Sequence, residues 1–176
     1  MLSAAETIVA PAAEPISLDQ VKTYLRVDGS LFDKELFLLM VAAREDLELF
    51  TGLRFMDQVV RVHADAPIFL DHLTVGPARR LVSIGTMAAD GTVVPVDPAG
   101  FRLTGRELQR GIAPVSRWPA EFHRSTIVAD IAVGYGPDAS KVPAALRIAL
   151  LSMIRGRFDD RPIDMGTLVP GLRINP

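Results

Sequence analysis

The residues of this sequence that could do chemistry are few. His63, Asp65, Asp71 and His72 are of metal-ligating types and lie close together in the chain. His63 and Asp65 are two positions apart in an alternating segment, so they share a strand face and could in principle hold zinc or another transition ion. Asp71-His72 falls in an expected turn, and a solvated strand face followed by a polar turn is the simpler reading. Ser83, Ser116, Ser125 and Ser152 are available as nucleophiles, with His123 as a base, but none sits in a Gly-x-Ser-x-Gly elbow. Gly134-Tyr135-Gly136 follows a strand without the Lys-Ser/Thr of a phosphate loop, and reads as a turn that needs positive φ. Glu45, Asp46 and Glu48 read as a solvated helix flank. No catalytic residue, metal or cofactor is expected, and the chain is expected not to be an enzyme.

Composition narrows the classes further. The 176 residues suit one core and hold no cysteine, which rules out disulfides and thiolate chemistry. The longest apolar run, Leu36 to Ala43, is eight residues, far short of the ~20 that span a bilayer. No basic residue precedes Lys22, unlike the start of a secretory signal, so a cytoplasmic product and no membrane partner are expected. Residues 1–60 carry five Lys/Arg against ten Asp/Glu, and residues 61–120 carry seven against five. So small a basic excess, without interleaved aromatics, argues against sequence-specific nucleic-acid binding. DNA sliding past such a surface remains compatible with it.

The elements follow from period and caps. Residues 1–15 are Ala/Pro-rich and read as a flexible arm. Ser17 with Gln20 forms a capping box, and Leu18, Val21, Tyr24 and Leu25 follow at helical spacing up to Asp28-Gly29. A second helix is expected from Asp33 to Thr51, stopped by Gly52, with Leu36, Met40, Ala43, Leu47 and Phe50 as its main stripe. Phe37, Leu38 and Val41 lie off that stripe, and a helix apolar most of the way round is buried on several sides. In so small a chain the second side is expected to meet another subunit.

Strands are expected around 59–65, 68–70, 80–84, 86–94 (a hairpin about Asp90-Gly91), 101–103 and 125–133. Residues 105–119 read as a long loop or distorted hairpin. Pro143 opens a third helix to about Phe158, again apolar on several sides through Leu146, Ile148, Leu150, Leu151, Met153 and Ile154. The tail after Pro162 is too apolar for a solvated end and too broken by Gly and Pro for a helix. The expected class is α+β: an N-terminal helix pair and a C-terminal helix beside a small antiparallel sheet. Residues 16–160 are expected to form one domain and 161–176 a docking tail.

Three stretches resemble the head–tail connector (adaptor) proteins of tailed phages. Pro15-Ile16-Ser17-Leu18, with Lys22 and Leu25-Arg26-Val27-Asp28, is similar to that family's opening. Ala43-Arg44-Glu45 followed by Leu49-Phe50-Thr51-Gly52 resembles its second helix. Val133-Gly134-Tyr135-Gly136, then Val142-Pro143 and the Ala/Leu/Ile-rich segment after it, resembles its last helix. The chain departs from the pattern at Asp33, where a pair of acids is common, and at Leu53, where Arg follows the glycine.

The resemblance implies a homo-oligomeric ring, expected to be a dodecamer, in the neck of a virion or gene transfer agent particle. Its partners would be the portal protein, a stopper or tail-terminator protein, and DNA passing through the channel. Leu38, Val41, Ile148 and Leu151, the apolar residues off the core stripes, are the expected subunit interface. Leu168, Val169, Leu172, Arg173 and Ile174 are the expected portal-binding tail. The competing readings are a small metal-dependent enzyme built on His63 and Asp65, and a monomeric adaptor for one peptide partner.

Overall fold

Helix formation begins at Ser17. Its Oγ accepts from the Gln20 N–H at 3.2 Å, and the Gln20 Oε1 accepts from the Ser17 N–H at 3.0 Å. In the computed structural model, which describes residues 1–161 and 163–174, this box opens helix α1 (Leu18–Leu25). Pro162, Asn175 and Pro176, all in the expected tail, lie outside the described residues. The helix stops earlier than Asp28-Gly29, because Arg26 takes the left-handed conformation. Helix α2 (Asp33–Thr51) ends as expected on left-handed Gly52, whose N–H donates to the Glu48 carbonyl at 2.9 Å. Helix α3 runs from Ala144 to Phe158 directly after Pro143.

The chain divides into two units, in place of the single domain expected for 16–160. A sheet unit comprises Met1–Ala10 and Asp57–Gly134, and a helical unit comprises Pro11–Met56 and Tyr135–Pro176. The class is α+β.

The sheet unit holds strands β1 (Glu6–Val9), β2 (Gln58–Ala64), β3 (Ala78–Met87), β4 (Val93–Val96), β5 (Phe101–Arg106), β6 (Gln109–Pro114) and β7 (Ile127–Val133). Five form an antiparallel sheet in the order β1-β2-β7-β3-β4, with the last strand in the centre, and β5 pairs with β6. Burial alternates along β2, with Val60, Val62 and Ala64 inside, as its pattern requires. These residues share a core with Ile127, Ala129 and Ile131 of β7, and Phe101, Trp118 and Phe122 close it with ring centroids 5.5–5.6 Å apart.

Two expectations change here, and a third is narrowed to one of its alternatives. Residues 6–9, assigned to a flexible arm, pair with β2 because an edge strand satisfies backbone groups that an arm would leave to water. Pro67–Leu70 is a 3₁₀ turn, not a strand, with Pro67 at its first turn. Residues 105–119 supply the end of β5 and all of β6, so their first part is a hairpin.

Candidate interaction surfaces

Helix α2 has two faces of opposite use. Its inner face carries Leu36, Met40, Ala43 and Leu47, all buried, and with them Arg44 and Glu48 one turn apart. The Arg44 guanidinium reaches Glu48 at 3.1 Å and Glu14 at 2.8 Å. The second Glu48 oxygen accepts from the Phe55 N–H at 2.8 Å. Glu48 is only 4 % exposed, and burial pushes its carboxyl above the usual carboxylate range against the pull of these partners. The expectation that Glu48 joins Glu45 and Asp46 on a solvated flank is therefore wrong for Glu48. Its i,i+4 spacing from Arg44 was the signal that could have found the pair. Tyr135 donates its N–H to the Phe55 carbonyl at 3.2 Å, so the cluster also steadies the segment that leads to α3.

The outer face of α2 is different. Leu38 is 68 % exposed and Leu49 81 %, Phe37 is exposed, and Val41 is half-buried. On α3, Ile148 is 62 % exposed and Leu151 half-buried. Leu38 and Ile148 are thus open to solvent, as the expected interface needs, while Val41 and Leu151 are partly covered by their own chain. Ile148 and Leu151 line a groove of 580 Å³ between α1 and α3, together with Ile16, Tyr24, Asp19 and Arg147. The groove was not foreseen, because its walls come from segments 120 residues apart in the chain, from Tyr24 to Ala144.

The helices are tied by cations near the end of α3. Arg155 lies over the Tyr24 ring at 4.8 Å and donates to the Tyr24 carbonyl, and Arg157 pairs with Asp46. Lys22 on α1 reaches Asp33 at the start of α2 at 2.8 Å.

The tail folds back onto this same unit. Gly156 leaves room for the Ile163 side chain, which a Cβ on α3 would overlap. After a one-turn helix α4 (Met165–Leu168), Val169 is 2 % exposed and Ile174 9 %. The Ile174 N–H donates to the Thr51 carbonyl at 2.8 Å, capping the end of α2. Arg173 lies over the Phe50 ring at 4.4 Å, with its Nε on the Phe50 carbonyl at 3.1 Å. Of the five residues expected to bind a portal, Val169 and Ile174 are thus core residues of this chain. Arg173 is engaged at Phe50, and Leu168 and Leu172 stay half-exposed.

The sheet unit has its own ion pair, also missed in the sequence. Arg61 of β2 grips Asp130 of β7 with two bonds, at 2.7 and 2.9 Å, and the Ser83 hydroxyl of β3 donates to the same carboxylate at 2.8 Å. The bond from Arg61 holds the Asp130 carboxyl below its usual range. Ser83 donates its hydrogen bond to a carboxylate that Arg61 holds in its charged form, which makes Asp130 a weak base for that hydroxyl.

The other chemical candidates do not converge. Asp65 accepts from the Met1 amino group at 2.8 Å, and His72 is exposed after the 3₁₀ turn. Among the described residues no three His, Asp or Glu side chains are placed to hold a metal. No described helix is long and apolar enough to cross a membrane.

No protein-family model matches the chain, and no curated protein matches its sequence. Solved structures do match its fold. A chain in "Neck of empty GTA particle computed with C6 symmetry" superposes with a TM-score of 0.83 at 18% identity, over 99% of this chain and 97% of that one. A chain in "Virion of native gene transfer agent (GTA) particle" gives 0.81 at 17% identity, over 99% and 97%. A chain in "Neck of native GTA particle computed with C12 symmetry" gives 0.70 at 18% identity, over 96% of each. The chain has the fold of proteins built into gene transfer agent particles, and it has that fold along nearly its whole length.

Proposed function

We propose that this chain is a structural subunit of the neck of a phage-like particle, a head–tail connector that forms a homo-oligomeric ring between portal and stopper or tail. The observation that carries the reading is the near end-to-end likeness to chains in gene transfer agent necks. The connector-like pattern in three ordered stretches of the sequence points the same way. The ring, a dodecamer, extends the channel through which DNA passes without base-specific contact, and its subunits assemble in the cytoplasm. Its work is positional and not catalytic.

Leu38, Val41, Ile148 and Leu151 take part in contacts between subunits. On the portal side the tail offers Leu168 and Leu172, because Val169 and Ile174 already serve the interior. The test is to mix the purified protein with a portal protein from the same genome and examine the particles by electron microscopy. Rings of added density on the portal are expected. Portals that stay bare at saturating protein would remove the connector reading.

A further inference from the structure

The groove between α1 and α3 is apolar on its walls, yet it holds a cation that has no hydrogen-bond or ion-pair partner among the described residues. Ile16, Tyr24, Ile148 and Leu151 supply the walls. Arg147 lines the groove with its Nε buried and unbonded, and its guanidinium makes no hydrogen bond or ion pair among the described residues. A guanidinium in that setting is pre-positioned for a carboxylate from outside, since its partial desolvation is already in place.

The same unit carries a surface of complementary character. Along the outer face of α2, Glu35, Leu38, Ala42, Glu45 and Leu49 follow at intervals of three and four. None of these side chains is buried. That spacing makes a straight seam along a helix, the kind that packs into the furrow between two others. Among the described residues Glu45 forms an ion pair with Arg44 alone, at 3.5 Å, and its side chain is 65% exposed.

We infer that the outer stripe of α2 in one copy seats in the α1/α3 groove of the next copy, with Glu45 of the stripe paired to Arg147 of the groove. Asp19, the acid in the groove, has Lys34 at the start of the stripe as its counterpart. The occupant is a second copy of this chain because both halves of the contact, apolar and ionic, are found on it. Stripe against stripe is the competing arrangement. An antiparallel pairing centred on Ala42 would set Glu45 against Leu38 and Glu35 against Leu49, burying carboxylates without cations. Two different patches on one chain make a heterologous contact, and such contacts propagate head to tail and close into rings. The inference rests on the ring reading and specifies its geometry.

The chain has no cysteine, so thiols can be introduced cleanly. Leu38→Cys and Ile148→Cys are made singly and together, and treated with a short bis-maleimide with and without the portal. The doubly substituted chain is expected to give a ladder of linked oligomers. Each single variant should give none, and an equal mixture of the two should stop at dimers. Arg147→Glu and Glu45→Arg should each lower the yield of rings by about tenfold or more. The double reversal should restore it, with circular dichroism confirming that every variant is folded. Dimers from Leu38→Cys alone would show stripe against stripe and overturn the inference. Rings that form normally in both charge variants, or that never link in the doubly substituted chain, would overturn it while leaving the ring intact. If the unmodified protein forms no ring even with portal, the ring reading itself fails and takes this contact with it.

Discussion

Each unit buries a carboxylate against an arginine, and the two carboxyls shift in opposite directions. Asp130 lies on a sheet face, where Arg61 and Ser83 reach it from the flanking strands, and its bonds with them outweigh the loss of water. Glu48 lies on the inner face of a long helix, where burial outweighs Arg44, Arg54 and the Phe55 N–H together. Asp130 therefore adds stability to the folded sheet at neutral pH, whereas the buried Glu48 carboxylate costs the helical unit some of its stability there. The difference lies in packing, since a sheet face leaves one side of its ion pair near water and a helix interior does not.

The largest test of this contrast is Arg44→Ala. It removes the cation that Glu14 and buried Glu48 share, leaving Arg54 and the Phe55 N–H beside Glu48, and should cost about 3 kcal/mol in urea unfolding. A loss no greater than that of an exposed pair would show that water reaches the cluster, and the contrast would collapse. Removal of residues 163–176 should come next. It uncovers the end of α2 and withdraws Val169 and Ile174 from the core, a loss of about 2 kcal/mol after the entropy of ordering the tail is subtracted. Unchanged stability in the truncated chain would return the tail to a free docking role.

The smallest effect sharpens the contrast most, through its pH dependence. Asp130→Asn should cost about 1–2 kcal/mol near neutral pH, since one hydrogen-bonded charge is replaced by an amide. With its folded pKa below the ordinary 3.8, the contribution of Asp130 is present above that value and lost as pH falls through the folded pKa. The cost of Asp130→Asn should therefore vanish in strong acid. Glu48 runs the other way. With its folded pKa above the ordinary 4.5, its contribution is fully present below 4.5 and lost as pH rises through the folded pKa. Glu48→Gln should therefore flatten the pH dependence of stability on the neutral side of 4.5, and the same unfolding series reads both. Parallel pH profiles for the two variants would mean that the carboxylates are in equivalent environments.

What the sequence determined by itself was local. The Ser17–Gln20 box, Gly52 at the end of α2, Pro143 before α3, the Asp90-Gly91 hairpin and the in–out alternation of β2 each depend on residues within a turn or two of one another. Caps, turns and periods are short-range physics, and they were legible. The apolar residues off the helix stripes were legible too, and Leu38 and Ile148 are indeed exposed. The tertiary structure alone decided the rest. It set β7 between β2 and β3, so that Asp130 meets Arg61 and Ser83 from distant segments. It turned Glu48 inward, brought α1 beside α3 to form the Arg147 groove, and folded the tail onto Thr51 and Phe50. In each case the partner lies far along the chain, and a residue's type and spacing show what it can bond but not which distant segment will arrive to bond it.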